Sequence, residues 1–88
     1  MIILPNFCRC LGETVRLNRK RVAISQQVLA ERAGVTRRFI QELENGRSDV
    51  SLQTLMRLSA AMDMSLAEIC GQIEQAMVQE SLNNVGGV

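Results

Sequence analysis

The chain has 88 residues, 47% hydrophobic and 22% charged, which predicts one small soluble core rather than several domains or a disordered chain. It contains no histidine, tryptophan or tyrosine, which excludes histidine-based acid–base catalysis, histidine-ligated zinc and the stacking platforms of single-strand nucleic-acid binders. The net charge of +1 divides unevenly: residues 1–47 carry nine Lys+Arg and four Asp+Glu, whereas residues 48–88 carry one and five, so the first half is predicted to present a basic binding face.

Residues 1–10 read as an N-terminal arm, lying on a partner or disordered. Its opening run Met1-Ile2-Ile3-Leu4 is stopped by Pro5, too short for a secretion signal or a membrane span, so a cytoplasmic location without membrane contact is expected. Cys8, Cys10 and Cys70 are odd in number and form no C-x-x-C pair. Reduced thiols are a better reading than a metal hook at Cys8-x-Cys10, and neither metal nor cofactor is predicted.

An amphipathic stretch predicts a first helix over residues 11–22. One pattern then recurs four times: an apolar residue, a Ser or Thr, and an apolar residue four positions on. It appears at Ile24-Ser25…Leu29, Val35-Thr36…Ile40, Val50-Ser51…Leu55 and Met64-Ser65…Ile69. The hydroxyl at each N-cap accepts from an orphaned backbone N–H while the apolar pair staples the chain across it. Helices are thus predicted over 26–33, 37–45, 52–62 and 66–82, with Glu68 completing a capping box on Ser65. Gly34 and Gly46 stand where a left-handed residue ends a helix.

No segment alternates with period two, so the fold class is all-α with five helices. One core is predicted from Leu11, Val15, Leu29, Ala30, Ala33, Val35, Ile40, Leu43, Leu52, Leu55, Leu58, Met62, Met64, Leu66 and Ile69. Met56, Met62 and Met64 read as core or semi-buried gap-fillers rather than a ligand box.

The second and third helices are joined only by Gly34-Val35 before the Thr36 cap, which predicts a steep crossing and a projecting third helix. Its outer face carries Thr36, Arg37, Arg38, Gln41, Glu42 and Asn45. Arg matches guanine O6 and N7, Gln matches adenine, and Glu accepts from cytosine N4. Phe39 reads as packing against the neighbouring helix or meeting a thymine methyl. Arg16, Lys20, Arg21, Arg32 and Arg57 read as solvated charges.

In register over residues 11–70, the elements Leu11-Gly12-Glu13, Arg19-Lys20, Ser25-Gln26, Leu29-Ala30-Glu31-Arg32-Ala33-Gly34-Val35-Thr36, Ile40, Leu43-Glu44-Asn45-Gly46 and Val50-Ser51-Leu52 resemble the lambda-repressor-like, Cro-type helix-turn-helix family. The stretch Val50–Leu55 is similar to HipB-type antitoxins and to restriction–modification controller proteins. The resemblance implies a five-helix DNA-binding domain over 11–70 that binds double-stranded DNA. It places Arg37, Arg38, Gln41 and Glu42 at base edges, Gln26, Thr36, Asn45 and Arg47 at phosphates, and Arg19 with Glu44 in an ion pair; a solvated carboxylate is the other reading of Glu44. Two positions depart from the family: Ala23 replaces a glycine in the turn after the first helix, and Asn18 stands where many relatives have leucine, which bears on the geometry of Arg19.

Leu66, Ile69, Cys70, Ile73, Ala76 and Met77 form an apolar stripe whose first turn suffices to close the core. Residues 71–82 are therefore expected to extend the fifth helix as a dimer interface, or else to fray, before a flexible tail over 83–88. A two-fold dimer sets two recognition helices about 34 Å apart, matching a palindromic operator. The reading is a homodimeric, sequence-specific transcriptional repressor. The alternatives are an antitoxin that sequesters a toxin protein and autoregulates its operon, or a restriction–modification controller. The chain offers no nucleophile–base pair and no phosphate loop, so no enzyme is predicted.

Overall fold

The computed structural model describes residues 6–86, with side chains through residue 83. Expectations for Ile2-Ile3-Leu4 and for Gly87-Val88 lie outside the described residues. Five helices follow in order: α1 (Phe7–Arg21), α2 (Gln26–Ala33), α3 (Arg37–Glu44), α4 (Leu52–Ala61) and α5 (Leu66–Gly86), with no strand among the described residues.

The repeated Ser/Thr signals are N-caps. Ser25 Oγ accepts from Val28 N at 3.1 Å, Thr36 Oγ1 from Phe39 N at 3.0 Å and Ser51 Oγ from Thr54 N at 3.1 Å. Ser65 and Glu68 exchange both bonds of a capping box at 3.0 Å each. The hydrogen bond from the Ser65 backbone N–H holds the Glu68 carboxyl below its ordinary pKa. Gly34 and Gly46 end α2 and α3 at φ 71° and 74°. Ala23 and Asp63 adopt φ 58° in the turns after α1 and α4, a conformation that costs a residue with a Cβ about 1 kcal/mol.

Leu11, Val15, Leu29, Ile40, Leu43, Leu58, Met62 and Ile69 form the fully buried centre. Leu52 does not belong to it: it is 64% exposed. As the first residue of α4 its side chain leans toward the helix N-terminus, past the end of the helix and away from the core. Met56 is likewise exposed. Val35 and Leu66 are half-buried against the core.

The larger corrections concern the two ends. α1 begins at Phe7 rather than Leu11, because Phe7 and Cys10 pack into the core and tertiary burial extends a helix beyond any local cap signal. α5 continues through Gly86 rather than ending at 82. No proline interrupts it, and propagating an existing helix adds a hydrogen bond per residue without a new nucleus.

The two helices lie antiparallel. Asn18 Nδ2 donates to Gln72 Oε1 at 2.6 Å, and eight residues back on α1 Cys10 Sγ donates to Glu80 Oε2 at 3.2 Å. Arg9 pairs with the same Glu80 carboxylate. Asn18 is only 4% exposed, yet it is satisfied. Its amide also donates to Thr14 O at 2.9 Å, and its Oδ1 accepts from Arg21 Nε at 3.2 Å. The unusual residue of α1 is therefore a buried polar link to α5.

This pairing revises the stripe on α5. Ile69 and Ile73 are 0% and 4% exposed, buried in the monomer and withdrawn from any second copy. Ala76 and Met77 are half-buried against the same core, and only Cys70 is exposed. The first turn alone does not close the core, since α1 is a turn longer than its sequence pattern implied.

Candidate nucleic-acid interface

The turn between α2 and α3 is built from backbone bonds alone. Gly34 N donates to Glu31 O at 3.3 Å and Val35 N to Ala30 O at 3.0 Å, the paired closure that a left-handed glycine permits. Thr36 then starts α3 at once. Ile40 and Leu43 bury the inner face of α3, and Phe39 packs half-buried on its flank.

Arg37, Arg38, Gln41 and Asn45 are exposed on the opposite arc, with Glu42 half-buried at its edge. Thr36 and Arg47 are exposed at its two ends. Among the described residues the ion pairs are Arg9–Glu80 and Arg19–Glu44. Arg37, Arg38 and Arg47 are thus exposed with no described acidic side chain within ion-pair distance.

Behind this face α1, α2 and α3 meet in one polar cluster. Arg19 Nε donates to Glu44 Oε2 at 2.7 Å and Nη2 donates to Oε1 at 2.9 Å. Nη1 donates to Ile24 O at 3.0 Å, tying the cluster to the turn after α1. The Glu44 and Arg19 side chains are 4% and 12% exposed, so neither is a solvated surface charge, and the carboxylate raises the Arg19 pKa further. Gln26 Nε2, at the start of α2, donates to Glu44 Oε1 at 3.1 Å.

Two contacts escaped sequence reasoning. A Cβ on Gly12 would lie 2.1 Å from Leu43 O and 3.2 Å from Glu44 C, so α1 touches the end of α3 backbone to backbone. A glycine in a helix interior was the available signal. The Gln26–Glu44 bond had none, since the two residues are 18 apart in sequence.

On α5 and α1, Thr14, Leu17, Gln72, Gln75, Ala76 and Gln79 line an open groove of about 330 Å³. Among the described residues no helix is long and apolar enough to cross a membrane, and no group of three acidic or cysteine side chains is placed to hold a metal.

A family model described as helix-turn-helix matches residues 15–69. The control protein C.MunI from Mycoplasma sp is 30% identical over 60 residues, covering 68% of this chain and 81% of that protein. The immunity repressor protein of Bacillus phage phi105 is 29% identical over 70 residues, 80% of this chain. The chain spans 47% of that repressor's length. Among solved structures, the clp gene regulator ClgR from Corynebacterium glutamicum superposes with a TM-score of 0.87 at 25% identity, covering 94% of this chain and 88% of that one.

Proposed function

The chain belongs to the lambda-repressor-like helix-turn-helix family of DNA-binding transcription regulators, and we propose that it is a homodimeric repressor that reads a palindromic operator with α3. The observation that carries this reading is the exposed, uncompensated arc of Arg37, Arg38 and Gln41 immediately after a tight turn. A recognition helix meets base edges with its N-terminal residues, and Arg binds guanine bidentately. Arg37, Arg38, Gln41 and Glu42 take the base-reading roles; Gln26, Thr36, Asn45 and Arg47 hold phosphates and set the register.

The dimer contact falls on the flank of α5 that the core leaves accessible: exposed Cys70 with half-buried Leu66 and Met77, at i, i+4 and i+11. The protein binds rather than catalyses, and it works in the cytoplasm with its DNA. The 81% coverage of the control protein C.MunI, with the likeness to the restriction-modification controller protein C.AhdI from Aeromonas hydrophila (TM-score 0.68, 29% identity), favours one second reading, a restriction–modification controller.

Selection of bound sites from random duplexes tests the proposal. An inverted repeat should emerge, and Arg38→Ala should weaken binding to it by about 1–3 kcal/mol while relaxing base choice at one position. No enrichment over the starting pool would sink the reading. Equal loss on every duplex would make Arg38 a phosphate contact instead.

A further inference from the structure

We infer that Glu44 is a positioning residue for the DNA backbone contact, acting through Gln26. The inference rests on the reading of the chain as a DNA-binding protein with Gln26 at a phosphate. Glu44 is the last residue of α3 and its side chain is 4% exposed. Its carboxylate receives three bonds, two from Arg19 and one from Gln26.

A carboxylate only accepts, so the carboxamide of Gln26 must turn its nitrogen toward Glu44. That bond uses one N–H of the amide and fixes the direction of the other. The second N–H is the group a phosphate oxygen can accept from. Gln26 is half-buried, and a free glutamine side chain would have to lose its rotamer freedom on binding. Glu44 removes that cost in advance.

Arg19 completes the device. Its fork neutralises the carboxylate and is itself anchored to Ile24 O at the turn leading into α2. The negative charge of Glu44 therefore orients Gln26 without repelling an approaching phosphate. Glu44 acts on Gln26 rather than on base reading because it touches Gln26 directly. It stands seven residues from Arg37, about 10 Å along α3, and α3 is already seated by Ile40 and Leu43.

The test is a double-mutant cycle read by fluorescence anisotropy, on the selected operator and on a mixed-sequence duplex. Gln26→Ala and Glu44→Gln should each weaken binding about tenfold per half-site, the scale of a hydrogen bond to a charged group. The double variant should be no weaker than the weaker single variant, within about twofold. The losses should be equal on both duplexes, because a phosphate contact carries no sequence information.

Additive losses of about a hundredfold per half-site would overturn the inference, since two independent roles multiply. So would a Glu44→Gln loss confined to the operator, which would place the effect in base reading. Should Glu44→Gln not fold, Glu44→Asp enters the same cycle: it keeps a charge for Arg19 while drawing the carboxylate one methylene back from Gln26. Wild-type protein that bound neither duplex would overturn the functional reading itself, whereas wild-type binding with an additive cycle removes the inference alone.

Discussion

Gly12→Ala puts the α1–α3 crossing to a quantitative test. The added Cβ would meet Leu43 O at 2.1 Å, so about 1 Å of separation has to be found between two helix backbones. Overpacking of this kind costs about 1–3 kcal/mol. The upper end applies because the obstacle is a carbonyl held in a helix rather than the far end of a flexible side chain. Alanine repays about 1 kcal/mol through helix propensity, leaving a net loss of about 2 kcal/mol. Gly71→Ala is the control: it sits in α5 with nothing within 4 Å of the new Cβ, so only the propensity gain operates and stability should rise by about 1 kcal/mol. Urea unfolding followed by circular dichroism measures both. DNA affinity should fall in the Gly12 variant alone, since Glu44 C is also only 3.2 Å from the new atom and the Arg19–Glu44–Gln26 cluster moves with it. If Gly12→Ala were as stable as wild type, the crossing has slack and the reasoning is refuted.

Ala23→Gly should stabilise by up to about 0.5 kcal/mol, because φ 58° strains a Cβ by about 1 kcal/mol while glycine loses about 0.5–1 kcal/mol in chain entropy; a lower urea midpoint would contradict the strain. Arg47→Ala should weaken binding uniformly across sequences and lower the salt slope by about one unit per subunit, and an unchanged slope in a salt titration would remove Arg47 from the phosphates. Met77→Asp should shift sedimentation toward a single chain while the fold persists, whereas Ile73→Asp should unfold the monomer, since Ile73 is 4% exposed. Two chains persisting for Met77→Asp would exclude that flank of α5 as the dimer contact.

The near-neutral net charge conceals the arrangement that matters. Nine of the ten basic residues precede Ser48, and Arg37 and Arg38 at the start of α3 and Arg47 just past its end are all exposed. A low total charge limits affinity for arbitrary DNA, while the local field of the basic face is retained.

Most of the helix plan could be read without coordinates, because its signals are local. A cap acts over three residues, a left-handed glycine over one turn, and apolar periodicity within one helix. Ser25, Thr36 and Ser51 each accept the bond three residues on. The outer arc of α3 follows from the same local rule, as the complement of Ile40 and Leu43.

What tertiary structure decided depends on partners far apart in the chain. The reach of α1 back to Phe7, the withdrawal of Ile73 from any interface and the burial of Asn18 all follow from the α1–α5 pairing, whose polar contacts join residues 54 and 70 positions apart. Leu52 shows the converse: its spacing fits the core, yet it is left 64% exposed at the start of α4. The Gly12 crossing and the Gln26–Glu44 bond belong to the same class. Periodicity states which face of a helix is apolar, but only the packed chain determines how far along that face a partner extends and which polar groups meet across the seam.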